Sequence, residues 1–120
     1  INTIVRENYY IPYYPKPENS AKQFITSSDT GISWYRGYFK DNLNQTDIDA
    51  VLKKFDAQTI VVGHTLQSKI NTKFNGKVVG IDVKHGKDYH KTWPRGKSEA
   101  LLIENGIYFR VLASGEKKKI

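Results

Sequence analysis

At 120 residues with 38% hydrophobic side chains, the chain is about one domain long by a prior of roughly one per ~150 residues, and it can bury a real core. No apolar run approaches the ~20 residues of a membrane-crossing helix, and the absence of cysteine excludes a disulfide frame, a thiol nucleophile and a thiolate metal site. The net charge of +7 suits an anionic partner, but lysine outnumbers arginine and serves generic solvation first, which argues against a dedicated nucleic-acid role.

Ile1, Ile4 and Val5 fall at helical spacing, so residues 1–8 read as closing turns of a helix too short to be stable alone. Over residues 9–18, Pro12, Pro15 and Pro17 forbid a regular helix or central strand, and the tyrosines between them make an extended connector with aromatic anchors. Residues 19–30 are polar apart from Phe24 and Ile25 and read as a loop. Residues 1–30 are thus expected to be a largely extended or loop lead-in.

In residues 31–39 the aromatics Trp34, Tyr35, Tyr38 and Phe39 flank Arg36-Gly37. An arginine set among aromatics is held by packing, and its planar fork can grip two phosphate oxygens at once. A stacking or ion-pair role that steadies the aromatic cluster fits the same residues equally well. From 44 to 56, Ile48, Val51, Leu52 and Phe55 recur at i, i+3, i+4 and i+7, which predicts an amphipathic helix with Thr46 as N-cap. Asp47 and Asp49 near its start and Lys53 and Lys54 near its end suit the helix dipole.

The run Thr-Ile-Val-Val-Gly-His-Thr at 59–65 predicts a strand covered on both faces that ends at His64. Ligands of open α/β sheets bind at the carboxyl ends of strands, and Gly63 offers a turn free of a Cβ, so His64 is the first candidate for chemistry. Residues 66–74 read as a polar loop. Asn75-Gly76 signals a turn, and 77–83 a second short strand with Asp82 near its carboxyl end. There Asp82 either faces a ligand, orients a histidine, or caps a turn in solvent.

Residues 84–97 carry glycines, Pro94 and no periodicity, which predicts a long loop and a candidate lid over an anionic substrate. His85, Asp88 and His90 lie there at a spacing that matches no common ligand motif. Asn105-Gly106, between 99–103 and 107–112, is a strong hairpin signal and predicts a hairpin extending the sheet of His64. The tail 114–120, with Lys117, Lys118 and Lys119, reads as a frayed, solvated end.

Val62-Gly63-His64-Thr65, preceded by Gly31-Ile-Ser-Trp-Tyr-Arg-Gly-Tyr-Phe39 and followed by Gly80-Ile-Asp-Val83, resembles the C-terminal part of calcineurin-like metallophosphoesterases. The closest likeness is to bacterial members related to phosphoprotein phosphatases. The resemblance implies an α/β fold: a mixed β-sheet with one main amphipathic helix and a C-terminal β-hairpin, the C-terminal half of a calcineurin-like αββα sandwich. It further implies hydrolysis of phosphomonoesters such as phosphoserine or phosphothreonine by a longer enzyme. Two divalent metal ions (Mn, Fe or Zn) are expected in that enzyme, with His64 as one metal ligand, Arg36 as a contact to the substrate phosphate, and Asp82 and His85 beside the site.

The family's Gly-Asp-x-x-Asp-Arg and Asn-His-Glu motifs do not occur in this sequence, and its Asp-x-His pattern is met only by Asp88-Tyr89-His90 in the polar loop. The chain is therefore expected to be catalytically inactive and metal-free alone, with the rest of its site in polypeptide N-terminal to Ile1. The expected partners are a phosphorylated substrate, that remaining polypeptide and, through an exposed sheet edge, a second copy. The alternative is a non-catalytic basic α/β module that binds an acidic partner or nucleic acid.

Overall fold

The computed structural model describes residues 1–8, 21–40, 43–83 and 98–120. They fall into two compact units, Ile1–Gly37 and Tyr38–Ile120. The predicted connector at 9–18 and the long loop with His85, Asp88 and His90 lie outside the described residues, apart from which no helix is long and apolar enough to cross a membrane.

In the first unit, helix α1 (Asn2–Asn8) contacts a second helix, α2 (Ala21–Thr26). Polar composition hid α2, because its apolar positions are only Phe24 and Ile25. Local polar bonds close it: Thr26 Oγ1 donates to the Lys22 carbonyl at 2.8 Å, and Ser27 Oγ accepts from the Asp29 and Thr30 amides at 3.0 and 3.2 Å. Gly31 then donates to the Ser27 carbonyl at 3.0 Å. A Cβ at Gly31 would collide with the Ser27 and Ile25 carbonyl oxygens, so only glycine fits this tight return.

The second unit takes Tyr38 and Phe39 of the 3-10 turn Gly37–Phe39 and holds helix α3 (Gln45–Lys54) and, among the described residues, six strands. The N-cap of α3 is Asn44, two residues before the expected Thr46. Its side chain accepts from the Asp47 amide at 3.0 Å, and Asp47 accepts from the Asn44 amide at 2.9 Å, a reciprocal box that satisfies two orphan donors. Asn44→Ala should cost about 1 kcal/mol, read as a shift of the urea midpoint with an unchanged m-value. Only Ile48 and Leu52 of the predicted apolar stripe are buried, whereas Val51 and Phe55 stay 39% and 67% exposed.

A mixed sheet receives that buried stripe, with β1 (Ile60–Val62), β3 (Val78–Gly80) and β2 (Asn71–Lys73) in spatial order. Strand β1 runs parallel to β3, and β2 antiparallel to it. Val78 packs with Ile48 and Leu52, and Ile60, Val62, Phe39 and Phe74 close over them. The strand covered on both faces is β3, with Val78 and Val79 wholly buried, and not β1, where Val61 is 42% exposed. Central position decides this: β3 has a neighbour on each side, while β1 pairs among the described residues with β3 alone. Strand β2 went unpredicted because Asn-Thr-Lys has no apolar residue; the Asn75-Gly76 turn, with both residues at positive φ, forces it back against β3.

The hairpin at Asn105-Gly106 forms as predicted, joining β4 (Glu99–Glu104) to β5 (Ile107–Leu112). It does not extend the sheet of His64; with β6 (Lys117–Lys119) it makes a separate antiparallel sheet. The expected frayed tail is thus an edge strand, because a turn at Gly115 returns the chain along β5. One buried carboxylate links the two sheets. Glu99 accepts two bonds from the Arg110 guanidinium, at 2.6 and 2.9 Å, and one from the Ile70 amide at 2.9 Å. The fold is therefore α/β with a mixed sheet, one main amphipathic helix and a C-terminal hairpin in a second sheet.

Candidate functional site

Two parallel strands, β1 and β3, finish at the same edge of the mixed sheet, and the backbone beyond them stays joined. The Ile81 amide donates to the Val62 carbonyl at 2.9 Å and the Gln67 amide to the Asp82 carbonyl at 2.7 Å, while Gln67 and Val83 form a parallel bridge. His64 and Asp82 are thus brought to one end of one sheet by residues that precede and follow them. His64 is exposed and Asp82 half-buried. The turn falls on His64 itself, at φ 59°, and Gly63 is not left-handed. That overturns the expectation that glycine supplies the turn. A left-handed non-glycine residue is uncommon and costs energy that the surrounding structure must offset.

Two further residues at this end, Gln67 and Asn71, escaped sequence reasoning. A Cβ on Gly80 would come within 2.8 Å of the Phe39 ring and 3.2 Å of the Gln67 side chain, so its bare backbone lets both rest on the sheet. Asn71 stands directly opposite Gly80 in β2. Its Oδ1 is buried and accepts no hydrogen bond among the described residues. The signal that would have found Asn71 is the turn at 75–76 read as the middle of a hairpin, which makes 71–73 a strand.

In the first unit, Arg36 is half-buried. Its Nη1 donates to the Trp34 carbonyl at 3.4 Å, and its guanidinium carbon lies 5.7 Å from the centroid of the Trp34 ring. The aromatic setting read from the sequence is present, and it restricts the fork. His85 lies outside the described residues.

Among the described residues no three His, Cys, Asp or Glu side chains converge as a metal cage would require.

No family model and no curated protein matches the chain. Solved structures do. The chain is similar to a protein-tyrosine phosphatase. Structures of the cold-active protein-tyrosine phosphatase of the psychrophile Shewanella sp., and of a point mutant of a cold-active protein tyrosine phosphatase, superpose with a TM-score of 0.78 at 30% identity, over 98% of this chain and 33% of each of those. A second structure of a cold-active protein tyrosine phosphatase gives the same TM-score and identity over 32% of its length. The chain spans about a third of the solved structures it matches.

This finding corrects the family inferred from short motifs. The likeness over nearly the whole chain is to protein-tyrosine phosphatases, not to a calcineurin-like metallophosphoesterase, and the calcineurin-like half-sandwich is replaced with it. The expected pair of divalent metals is corrected too, since that resemblance was its sole basis. A Gly-His-Thr after a short apolar strand describes a strand end, and many sheets have one. The coarser expectation, likeness to a phosphatase, stands.

Proposed function

We propose that this chain is part of a phosphatase that hydrolyses phosphate monoesters on protein tyrosines. The observation that carries the reading is the likeness over 98% of the chain at 30% identity. Two local features support it. His64 presents an exposed imidazole from a left-handed turn at the carboxyl end of β1, where it can pass a proton to a leaving phenolate or take one from attacking water. Independently, Arg36 offers a fork steadied by Trp34 that suits two phosphoryl oxygens. No thiol comes from these residues, because the sequence has no cysteine.

The test is phosphate release by the full-length protein from paired peptides that differ only in phosphotyrosine or phosphoserine. Preference for phosphotyrosine is expected, and equal or reversed preference overturns the tyrosine reading. Arg36→Lys keeps the charge but loses the fork, so KM should rise about tenfold with kcat nearly unchanged. An unchanged KM removes Arg36 from the phosphate.

A further inference from the structure

Strand β6 pairs among the described residues with β5 alone, so its outer side is an edge. The register decides which groups that edge presents. The Leu112 amide donates to the Glu116 carbonyl at 2.9 Å and the Ile120 amide to the Tyr108 carbonyl at 3.0 Å, with Lys118 opposite Arg110 between them. Bonded and non-bonded pairs alternate along an antiparallel ladder, so residues 116, 118 and 120 turn their backbone toward β5. The amides and carbonyls of Lys117 and Lys119 therefore point away from β5.

Side chains follow the same period. Lys117 and Lys119 share one face, opposite Val111 and Phe109, and Lys118 takes the other. All three residues are exposed. Lys117 meets Glu104 at 3.2 Å and Lys118 meets Glu116 at 3.4 Å, between side chains about half exposed, while Lys119 makes no ion pair among the described residues. Surface pairs of this kind are worth at most about 1 kcal/mol, so an incoming carboxylate can replace them. The net charge of +7 draws such a partner in.

We infer that β6 is a docking edge for an extended acidic segment of another protein, which adds antiparallel as a fourth strand of this sheet. Its backbone continues the ladder at Lys117 and Lys119, and carboxylates two residues apart stand opposite the two ammonium groups on one face. A second β6 brings like charge to the same positions, and a nucleic acid meets the ammonium groups but offers the backbone no amide ladder. The occupant is accordingly a peptide with acidic side chains at alternate positions, an inference independent of the phosphatase reading.

The experiment is amide hydrogen exchange, followed by NMR on the 15N-labelled full-length protein with and without a blocked heptapeptide of alternating glutamate and threonine. Saturating peptide should slow exchange at Lys117 and Lys119 by at least about tenfold, and at Leu112, already bonded to Glu116, far less. Methylating the glutamate backbone nitrogens, which face β6, should abolish binding; methylating the threonine nitrogens, which face away, should leave it nearly intact. Lys119→Glu should weaken binding about tenfold, and a lysine-threonine peptide should not bind. Unchanged exchange at Lys117 and Lys119, equal binding by the two methylated peptides, full binding by Lys119→Glu, or the same protection from a single-stranded oligonucleotide would each overturn the docking edge. None of those results touches the phosphatase reading, which is measured by phosphate release.

Discussion

Glu99→Ala is expected to lower stability by about 3 kcal/mol, in the range for breaking one side of a buried ion pair. The Glu99 and Arg110 side chains are only 7% and 17% exposed, so the remaining guanidinium is left largely desolvated and unpaired. The Ile70 amide also loses its acceptor, in a residue only 1% exposed. For a chain of this size such a loss lowers Tm by roughly 12 °C. Glu99→Gln, which keeps an acceptor for Ile70 but gives up the charge, should fall between. Replacing both partners together, as Glu99→Met with Arg110→Met, should cost less than Glu99→Ala, since no lone charge remains. A calorimetric scan in which Glu99→Ala melts with the wild type would show that the two sheets do not depend on this link.

The same pair makes stability depend on acidity. Bonds from Arg110 above all, then the Ile70 amide, hold the Glu99 carboxyl below the usual glutamate range against an opposing push from burial. A carboxyl depressed in the folded state is protonated first in the unfolded chain, so its contribution is whole above the ordinary glutamate value of about 4.3 and disappears as pH falls through the folded one. The gap between wild type and Glu99→Gln should therefore be widest near neutrality and close in acid. A constant gap from pH 7 to pH 3 would mean the charge contributes nothing.

His64→Asn should lower kcat of the full-length protein on phosphotyrosine peptides by at least about a hundredfold, the usual scale of a lost acid or base. Asparagine tolerates the left-handed backbone that His64 adopts at φ 59°, so folding is preserved while the imidazole is removed. A second variant separates chemistry from scaffolding: His64→Gly relieves the backbone cost and should melt no lower than the wild type, yet be as impaired as His64→Asn. If the imidazole protonates the leaving oxygen, aryl phosphates with strongly acidic phenols should be affected far less than phosphotyrosine. Wild-type kcat in His64→Asn would end the case for this residue.

Elements with strong local signals were legible in the residues. The stripe through Ile48 and Leu52 gave α3, Asn105-Gly106 gave the β4–β5 turn, and the apolar runs gave β1 and β3. Elements made by long-range pairing were not. Asn71-Thr72-Lys73 and Lys117-Lys118-Lys119 have no strand pattern of their own; turns at 74–77 and 113–116 fold them onto β3 and β5. Which of β1 and β3 is central also depends on sheet order, which two similar apolar triplets do not encode. For the site, the register that joins β1 and β3 puts His64 and Asp82 at one end of the sheet. Asn71 stayed hidden with its strand, and the family was misjudged because motif fragments weigh a few positions where superposition weighs the whole backbone.

Strand β6 closes one side of the second sheet with three exposed ammonium-bearing residues, Lys117, Lys118 and Lys119. Glu104 and Glu116 pair with two of them only across open surface, so the border keeps a net positive field at ordinary salt. Another copy arriving there meets like charge before it meets backbone, a fence against fibril-like stacking. Chemical acetylation of these lysines would take the fence down, leaving an otherwise sound sheet prone to zip onto its neighbours.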